Sequence, residues 1–205
     1  MSPTTSSSTR FTSLVNLVDR GASRDDIAAY MNDLTPRKRV DEALSITGKR
    51  QAKLFEAVAG GPELTLQSFV PDDVTVGRTL IFEGRNSLPM FTRFQKRFAR
   101  VESGQVVGYN HQTWAFVTGP GFFVVKEGQP GARVLKELYL DYTDVPKEVP
   151  AGWPQFKPNE AGLSLLVYAN MKDYMREIAT NAYIGAAFKR GKAEDKYFIL
   201  ARPGD

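Results

Sequence analysis

At 205 residues, with 42% hydrophobic and 24% charged residues, the chain has room for one full hydrophobic core and an ordinary globular composition, which excludes global disorder and a fibrous or coiled-coil protein. It has no cysteine, so disulfides, thiolate metal sites and cysteine nucleophiles are excluded, and no apolar run approaches the roughly 20 residues that span a bilayer. A net charge of +4 and a pI near 9.2 are too mildly basic to imply an anionic partner on their own.

Residues 1–9 are rich in Ser and Thr and offer nothing to bury, so they read as a flexible tail without the apolar core of a secretory signal; a cytoplasmic location is expected. Residues 10–205 are expected to form a single α+β domain. From Arg10 to Gly61 the pattern is helical. Phe11, Leu14, Val15 and Val18 share a face that Gly21 ends, and Ser23 starts a second helix with Asp25 and Asp26 in its first turn and Ile27, Met31 and Leu34 on one side. Thr35-Pro36 reads as N-cap and N1 of a third, with Val40, Ala43 and Leu44 buried. Gly48 interrupts before Leu54, Phe55 and Val58, and Gly60-Gly61-Pro62 closes the helical region.

Residues 62–142 turn strand-like, with strands predicted at Leu64–Phe69, Arg78–Phe82, Gln105–Thr118, Phe122–Lys126 and Ala132–Tyr142 and a tight turn at Gly119-Pro120-Gly121. In the last of these Val134, Leu138, Leu140 and Tyr142 share one parity, and Arg133, Glu137 and Asp141 share the other, as in a sheet with a buried and a wet face. Between Met90 and Val101, Phe91, Phe94 and Phe98 fit a short helix leading into a strand. Residues 143–162 hold Pro146, Pro150, Pro154 and Pro158, and are read as an ordered loop or lid pinned by Trp153 and Phe156. In residues 163–205, Met171, Met175 and Ile178 predict a C-terminal helix, and Ala182–Phe188 with Lys196–Ala201 a hairpin around Arg190-Gly191. Seven or eight strands of this kind suit a lipocalin-like antiparallel barrel or, alternatively, a strongly curved sheet with helices on one face.

Short motifs carry a family likeness. Val167-Tyr168, Asp173-Tyr174-Met175-Arg176, Ile184-Gly185 and Tyr197-Phe198-Ile199-Leu200-Ala201-Arg202 resemble the C-terminal part of bacterial proteins that carry an N-terminal GXWXG domain, and Lys96-Arg97-Phe98 is similar to a lysine-containing segment of that domain. The resemblance spans about residues 78–101 and 163–202, without a tryptophan near Phe82-Glu83-Gly84 to complete the Gly-x-Trp-x-Gly motif. Gly108-Tyr109-Asn110 with Thr118-Gly119-Pro120-Gly121 is similar to a wider set of bacterial proteins. The resemblance bears on fold, and no catalytic residue carries over from it.

His111 is the only histidine. As a lone imidazole it is a candidate general acid/base or axial ligand to haem, with Asn110 or Gln112 orienting it, against the plainer reading of a structural strand histidine. A metal site of two or three imidazoles is ruled out, and no Gly-x-Ser-x-Gly elbow supports a hydrolase. In Phe91–Arg100, aromatic and basic residues alternate, which fits either nucleic-acid binding or an ordinary core face opposite a solvated one; Lys96 or Arg97 could instead point inward to the carboxylate of a ligand. Arg37, Lys38, Arg39, Lys49, Arg50 and Lys53 make a second basic cluster, diluted by Asp41, Glu42 and Glu56.

The leading expectation is therefore a small-molecule-binding protein whose pocket holds a hydrophobic or aromatic molecule against Lys96, Tyr109, Asn110, His111, Trp114 and Tyr139. The alternatives are an isomerase- or cyclase-type enzyme with His111 as acid/base under the Pro-rich lid, and, less favoured, a nucleic-acid or protein interaction module acting through the basic helices.

Overall fold

The structure is a computed structural model that describes residues 13–88, 92–111, 121–128, 137–154 and 170–204. Helices α1 (Leu14–Asp19), α2 (Arg24–Asp33), α3 (Pro36–Ser45), α4 (Lys49–Ala57) and α5 (Leu66–Phe69) precede strands β1 (Leu80–Asn86), β2 (Arg93–Arg100), β3 (Val106–His111), β4 (Phe122–Lys126), β5 (Tyr139–Asp141), β6 (Met171–Ala179), β7 (Ala182–Lys189) and β8 (Lys192–Ala201). Each strand pairs antiparallel with the next and β8 pairs with β1, so the sheet closes into an eight-stranded barrel. Closure removes the free edges that a curved open sheet would leave. Of the two architectures expected, the barrel is the one observed.

The helical starts follow their caps. Ser23 Oγ accepts from Asp26 N at 3.1 Å, and Pro36 holds N1 of α3. Gly48, at φ +52°, supplies the left-handed turn that separates α3 from α4. The apolar faces of α1 to α4 pack on the outer wall of β6 to β8, where Leu14, Leu17, Ile27, Met31, Leu54 and Phe55 join Ile178, Ile184 and Ile199 in one buried cluster.

Arginines fasten this layer through the carbonyls that helix C-termini leave open. Arg39 donates to Met31 O, Asn32 O and Leu34 O at the end of α2 and to Thr180 O on the barrel. Arg85 of β1 donates to Leu44 O at the end of α3. Arg176 of β6 donates to Phe55 O at 2.7 Å, lies 3.7 Å from the centre of the Phe55 ring and pairs with Glu137 at 3.0 Å.

A second core fills the lumen. Its lower end, where β1 begins, is plugged by α5: Phe69 packs 4.6 Å from Tyr183, 5.0 Å from Phe98 and 5.8 Å from Phe82, while Tyr183 Oη donates to Ser68 O and Arg100 to Val70 O.

Several expectations are corrected. Leu64–Phe69 is not a strand. Ser68 Oγ accepts from Thr65 N, so the segment caps a one-turn helix, and as the barrel's plug it needs no strand partner. The strand placed at Arg78–Phe82 starts at Leu80 and runs on to Asn86. Arg93–Arg100 is strand throughout where a short helix leading into a strand was expected. Phe94 and Phe98 lie four apart, a spacing that suits one face of either element, and pairing on both sides decides it.

Met171–Ala179 is likewise strand, and no helix follows the Pro-rich segment among the described residues. Met171 and Met175 face the lumen, whereas Ile178, of the opposite parity, lies on the outer wall, so a 4-then-3 spacing mimicked a helix. Asp141, expected on a wet face, is buried: Thr143 and Lys126 cover its carboxylate.

The described part of the Pro-rich segment is a strap on the outer wall rather than a lid across an end. Trp153 Nε1 donates to Thr79 Oγ1 at 2.8 Å and packs 4.7 Å from Tyr109, and Glu148 accepts from Ser103 N. The tail, the Gly119-Pro120 turn, the first part of Ala132–Tyr142, Phe156 and residues 163–169 lie outside the described residues. No helix among the described residues is long and apolar enough to cross a membrane.

Removing the guanidinium of Arg176 orphans the Phe55 carbonyl and the half-buried Glu137 at once. Arg176→Ala is expected to lower unfolding free energy in urea by about 1–3 kcal/mol, whereas Arg37→Ala, which removes an exposed 3.7 Å pair with Asp41, should change it by less than about 0.5 kcal/mol.

Candidate functional site

Along β2, even-numbered side chains face the lumen, and one of them is a lysine. Lys96 is 3% exposed. Its ammonium donates to Asn110 Oδ1 of β3 at 2.7 Å, to the hydroxyl of Tyr142, which directly follows β5, and to Asp173 Oδ2 of β6 at 3.4 Å. All three donors are thereby used. The Tyr142 hydroxyl in turn donates to Asp173 Oδ2 at 3.1 Å and accepts from Asn110 Nδ2 at 3.3 Å. Because β2 and β6 stand four strands apart in a ring of eight, Lys96 and Asp173 meet from opposite walls, and the cluster forms a polar crossbar through the lumen.

The rest of the surroundings are aromatic. The ring centres of Phe198, Phe123, Tyr142 and Phe94 lie 4.7, 5.0, 5.1 and 5.7 Å from Lys96 Nζ, within the range at which a ring face attracts a cation. Three inward-facing glycines make room for three of those rings. Gly84, Gly108 and Gly185 are the cross-strand partners of Phe94, Phe123 and Phe198. A Cβ at Gly84 would lie 2.6 Å from the Phe94 ring, and one at Gly185 would collide with Phe198 and lie 2.8 Å from Met175 Sδ. Each phenylalanine therefore lies flat over its glycine, in space that any other residue would occupy.

Burial in this apolar shell draws the Lys96 amine down to about 8, against the opposing pull of Asp173. The same burial raises the Asp173 carboxyl, opposed by Lys96 and Tyr142. Among the described residues, both hydrogen bonds that the Asp173 side chain accepts fall on Oδ2. Vertically, the crossbar sits one inward-facing layer below the upper rim, where Phe94 and Met171 are only partly buried, and above the packed lower half of Phe69, Phe82, Phe98 and Tyr183.

The structure divides the residues expected to form a site. Lys96 and Asn110 meet inside. Tyr109 and His111, of opposite parity on β3, face outward: Tyr109 is covered by Trp153 and Phe122 and accepts from Arg97, and the exposed His111 sits 6.2 Å from the Tyr109 ring. Partial burial and then Arg97 hold the His111 imidazole below its ordinary pKa. From the outer wall it cannot reach the crossbar, as acid/base or as a ligand to anything in the lumen. Tyr139 also faces outward, 5.5 Å from Tyr174 and 4.7 Å from Lys172 Nζ; Trp114 and Gln112 lie outside the described residues.

Tyr142 and Asp173 are the site residues that sequence reasoning missed. On the basic helices, Arg39 is committed to carbonyls and Arg50 to Asp19 at 2.8 and 2.9 Å. A cavity of about 350 Å³ by the lower end is lined by Val58, Leu64, Glu127, Leu138, Met175 and Glu177 and by none of the four crossbar residues. Among the described residues, no group of three or more His, Asp or Glu could hold a metal ion.

The unfolded chain keeps a lysine protonated up to about pH 10.4, the folded chain keeps Lys96 protonated only to about 8, so between these values the unfolded state binds more protons and raising pH favours the folded state. Relative to Lys96→Met/Asp173→Asn, which lacks both charges, the protein is expected to gain about 3 kcal/mol between pH 7.5 and 10.5 in urea titrations; parallel curves would contradict it. Gly185→Ala, which displaces Phe198, should cost about 1–3 kcal/mol at any pH in that range.

In comparisons with known proteins, no family model, curated protein or solved structure matches this chain.

Proposed function

We propose that this protein binds a small hydrophobic or aromatic molecule in the upper half of a lipocalin-like barrel, its apolar body among Phe94, Phe123 and Phe198 and its polar group against Lys96, Asn110, Tyr142 and Asp173. The observation that carries the reading is the crossbar itself: four polar side chains from four strand positions converge in an otherwise aromatic lumen. A hydrophobic pair of the same volume would hold a barrel together as well or better, since desolvating an ammonium and a carboxylate costs several kcal/mol per ion. Groups kept in place at such a cost are candidates for function.

The arrangement also favours one kind of ligand. Asp173 already balances Lys96, so a carboxylate on the ligand would bring a second negative charge into a low-dielectric space, whereas a neutral acceptor leaves the cluster electroneutral. The lower half, filled by Phe69, Phe82 and Phe98, leaves the upper end as the ligand's side.

N-phenyl-1-naphthylamine, a neutral apolar fluorophore, is the direct probe. Saturable one-to-one binding with a fluorescence rise is expected, and Ala187→Phe, which enlarges the lumen-facing register partner of Asp173 while leaving all four crossbar residues unsubstituted, should weaken it at least about tenfold, or about 1.4 kcal/mol. Absence of saturable binding, or binding indifferent to Ala187→Phe in a variant that melts as a folded protein, would contradict the proposal.

A further inference from the structure

We propose that Lys96 is a nucleophilic amine that condenses with the carbonyl group of an aldehyde or ketone ligand to form an imine. The inference rests on the binding reading above and assigns the ligand its reactive group. An amine attacks carbonyl carbon only when neutral, and in water a lysine near neutral pH is almost wholly protonated. The crossbar offers a route to the neutral form. Lys96 donates to the Tyr142 hydroxyl and that hydroxyl donates to Asp173 Oδ2, so one proton can pass from nitrogen to carboxylate along a continuous hydrogen-bonded line. The transfer leaves a neutral amine beside a neutral carboxyl and removes both buried charges at once. In keeping with this, burial draws the amine down and the carboxyl up.

The remaining atoms are placed for the addition. Asn110 Oδ1 accepts from the amine at 2.7 Å and Asn110 Nδ2 donates to the Tyr142 oxygen at 3.3 Å, which fixes both reacting groups. The nitrogen lone pair adds to the carbonyl carbon, the C=O π pair moves to oxygen, and a proton passes from nitrogen to that oxygen through the Tyr142 hydroxyl, giving a carbinolamine. Asp173 then protonates the carbinolamine hydroxyl, the nitrogen lone pair closes the C=N bond, and water leaves. The protonated imine remains paired with the Asp173 carboxylate. In sum, an ammonium and a carbonyl compound become an iminium and one water, with no oxidant or reductant required. The ring walls of Phe94, Phe123 and Phe198 suit a carbonyl conjugated to an aromatic or polyene body.

The test is reductive trapping of the full-length protein with 2-naphthaldehyde and sodium cyanoborohydride at pH 7.5, read by intact mass and peptide mapping. Lys96 is expected to acquire one naphthylmethyl group at least about tenfold faster than the exposed Lys38 and Lys53, because a far larger fraction of it is neutral. Labelling should be slowed by 2-methylnaphthalene, which lacks the carbonyl. Asp173→Asn, in a variant that melts as a folded protein, should slow the trapping at Lys96. If Lys96 labels no faster than Lys38 and Lys53 while the fluorophore binds normally, the imine proposal is overturned and the binding reading stands. If neither trapping nor fluorophore binding occurs in the folded protein, both are overturned.

Discussion

An ammonium and a carboxylate meeting 3.4 Å apart across the centre of a β-barrel is the constraint around which this molecule is arranged. Neither charge is tolerable alone in that space, since breaking one partner leaves an uncompensated buried ion. Their hydrogen bonds must therefore come from the surrounding strands. Asn110 from β3 and Tyr142 after β5 take the remaining Lys96 donors, and Tyr142 adds a hydrogen bond to Asp173 Oδ2, so the cluster draws on strands around the ring and is complete only when the sheet has closed. Register then follows. A slip of one residue in β2 or β6 would carry Lys96 or Asp173 to the outer wall, where nothing is built to receive its partner.

The same constraint accounts for the glycine and phenylalanine pairs. A cation in a lumen needs weakly polar walls, and rings provide them only if they lie along the wall instead of filling the middle. Gly84, Gly108 and Gly185 permit this by leaving the space beneath Phe94, Phe123 and Phe198 open. Stability is supplied elsewhere. Below the crossbar, Phe69 of α5 seals the barrel with close aromatic contacts, and outside it the helical layer is held by arginines on otherwise open carbonyls. The barrel thus divides into a lower half packed with aromatic side chains and an upper half that carries the buried polar cluster.

Most of the architecture was legible in the sequence because it is written in local signals. Caps and stops at Ser23, Thr35-Pro36 and Gly48 marked the helices, and the β-branched and aromatic run Phe122–Lys126 marked β4. Two of the misreadings share a cause. In Met171–Ala179 and Arg93–Arg100, residues four apart satisfy both a helix face and a strand face, and only long-range pairing separates the two. That error also concealed half of the site. Read as a strand, Met171, Asp173 and Met175 fall on one buried parity, and a carboxylate between two methionines is the signal of a buried partner. Lys96 carried the same kind of signal, a charge between Phe94 and Phe98 on one parity of the strand. His111 drew notice by being the only imidazole, which says nothing about the face it occupies.

The central claim, that the crossbar faces the ligand end of the barrel with an amine easily made neutral, is tested most directly by following the Lys96 side chain itself. In protein labelled with 13C-lysine, the Lys96 13Cε resonance is identified by its loss in Lys96→Arg, followed through pH, and then followed during addition of N-phenyl-1-naphthylamine. A transition near pH 8 is expected, with a resonance displaced by the probe while those of Lys38 and Lys53 stay in place. A Lys96 without a transition near pH 8, or one that ignores a probe bound one-to-one, would contradict it.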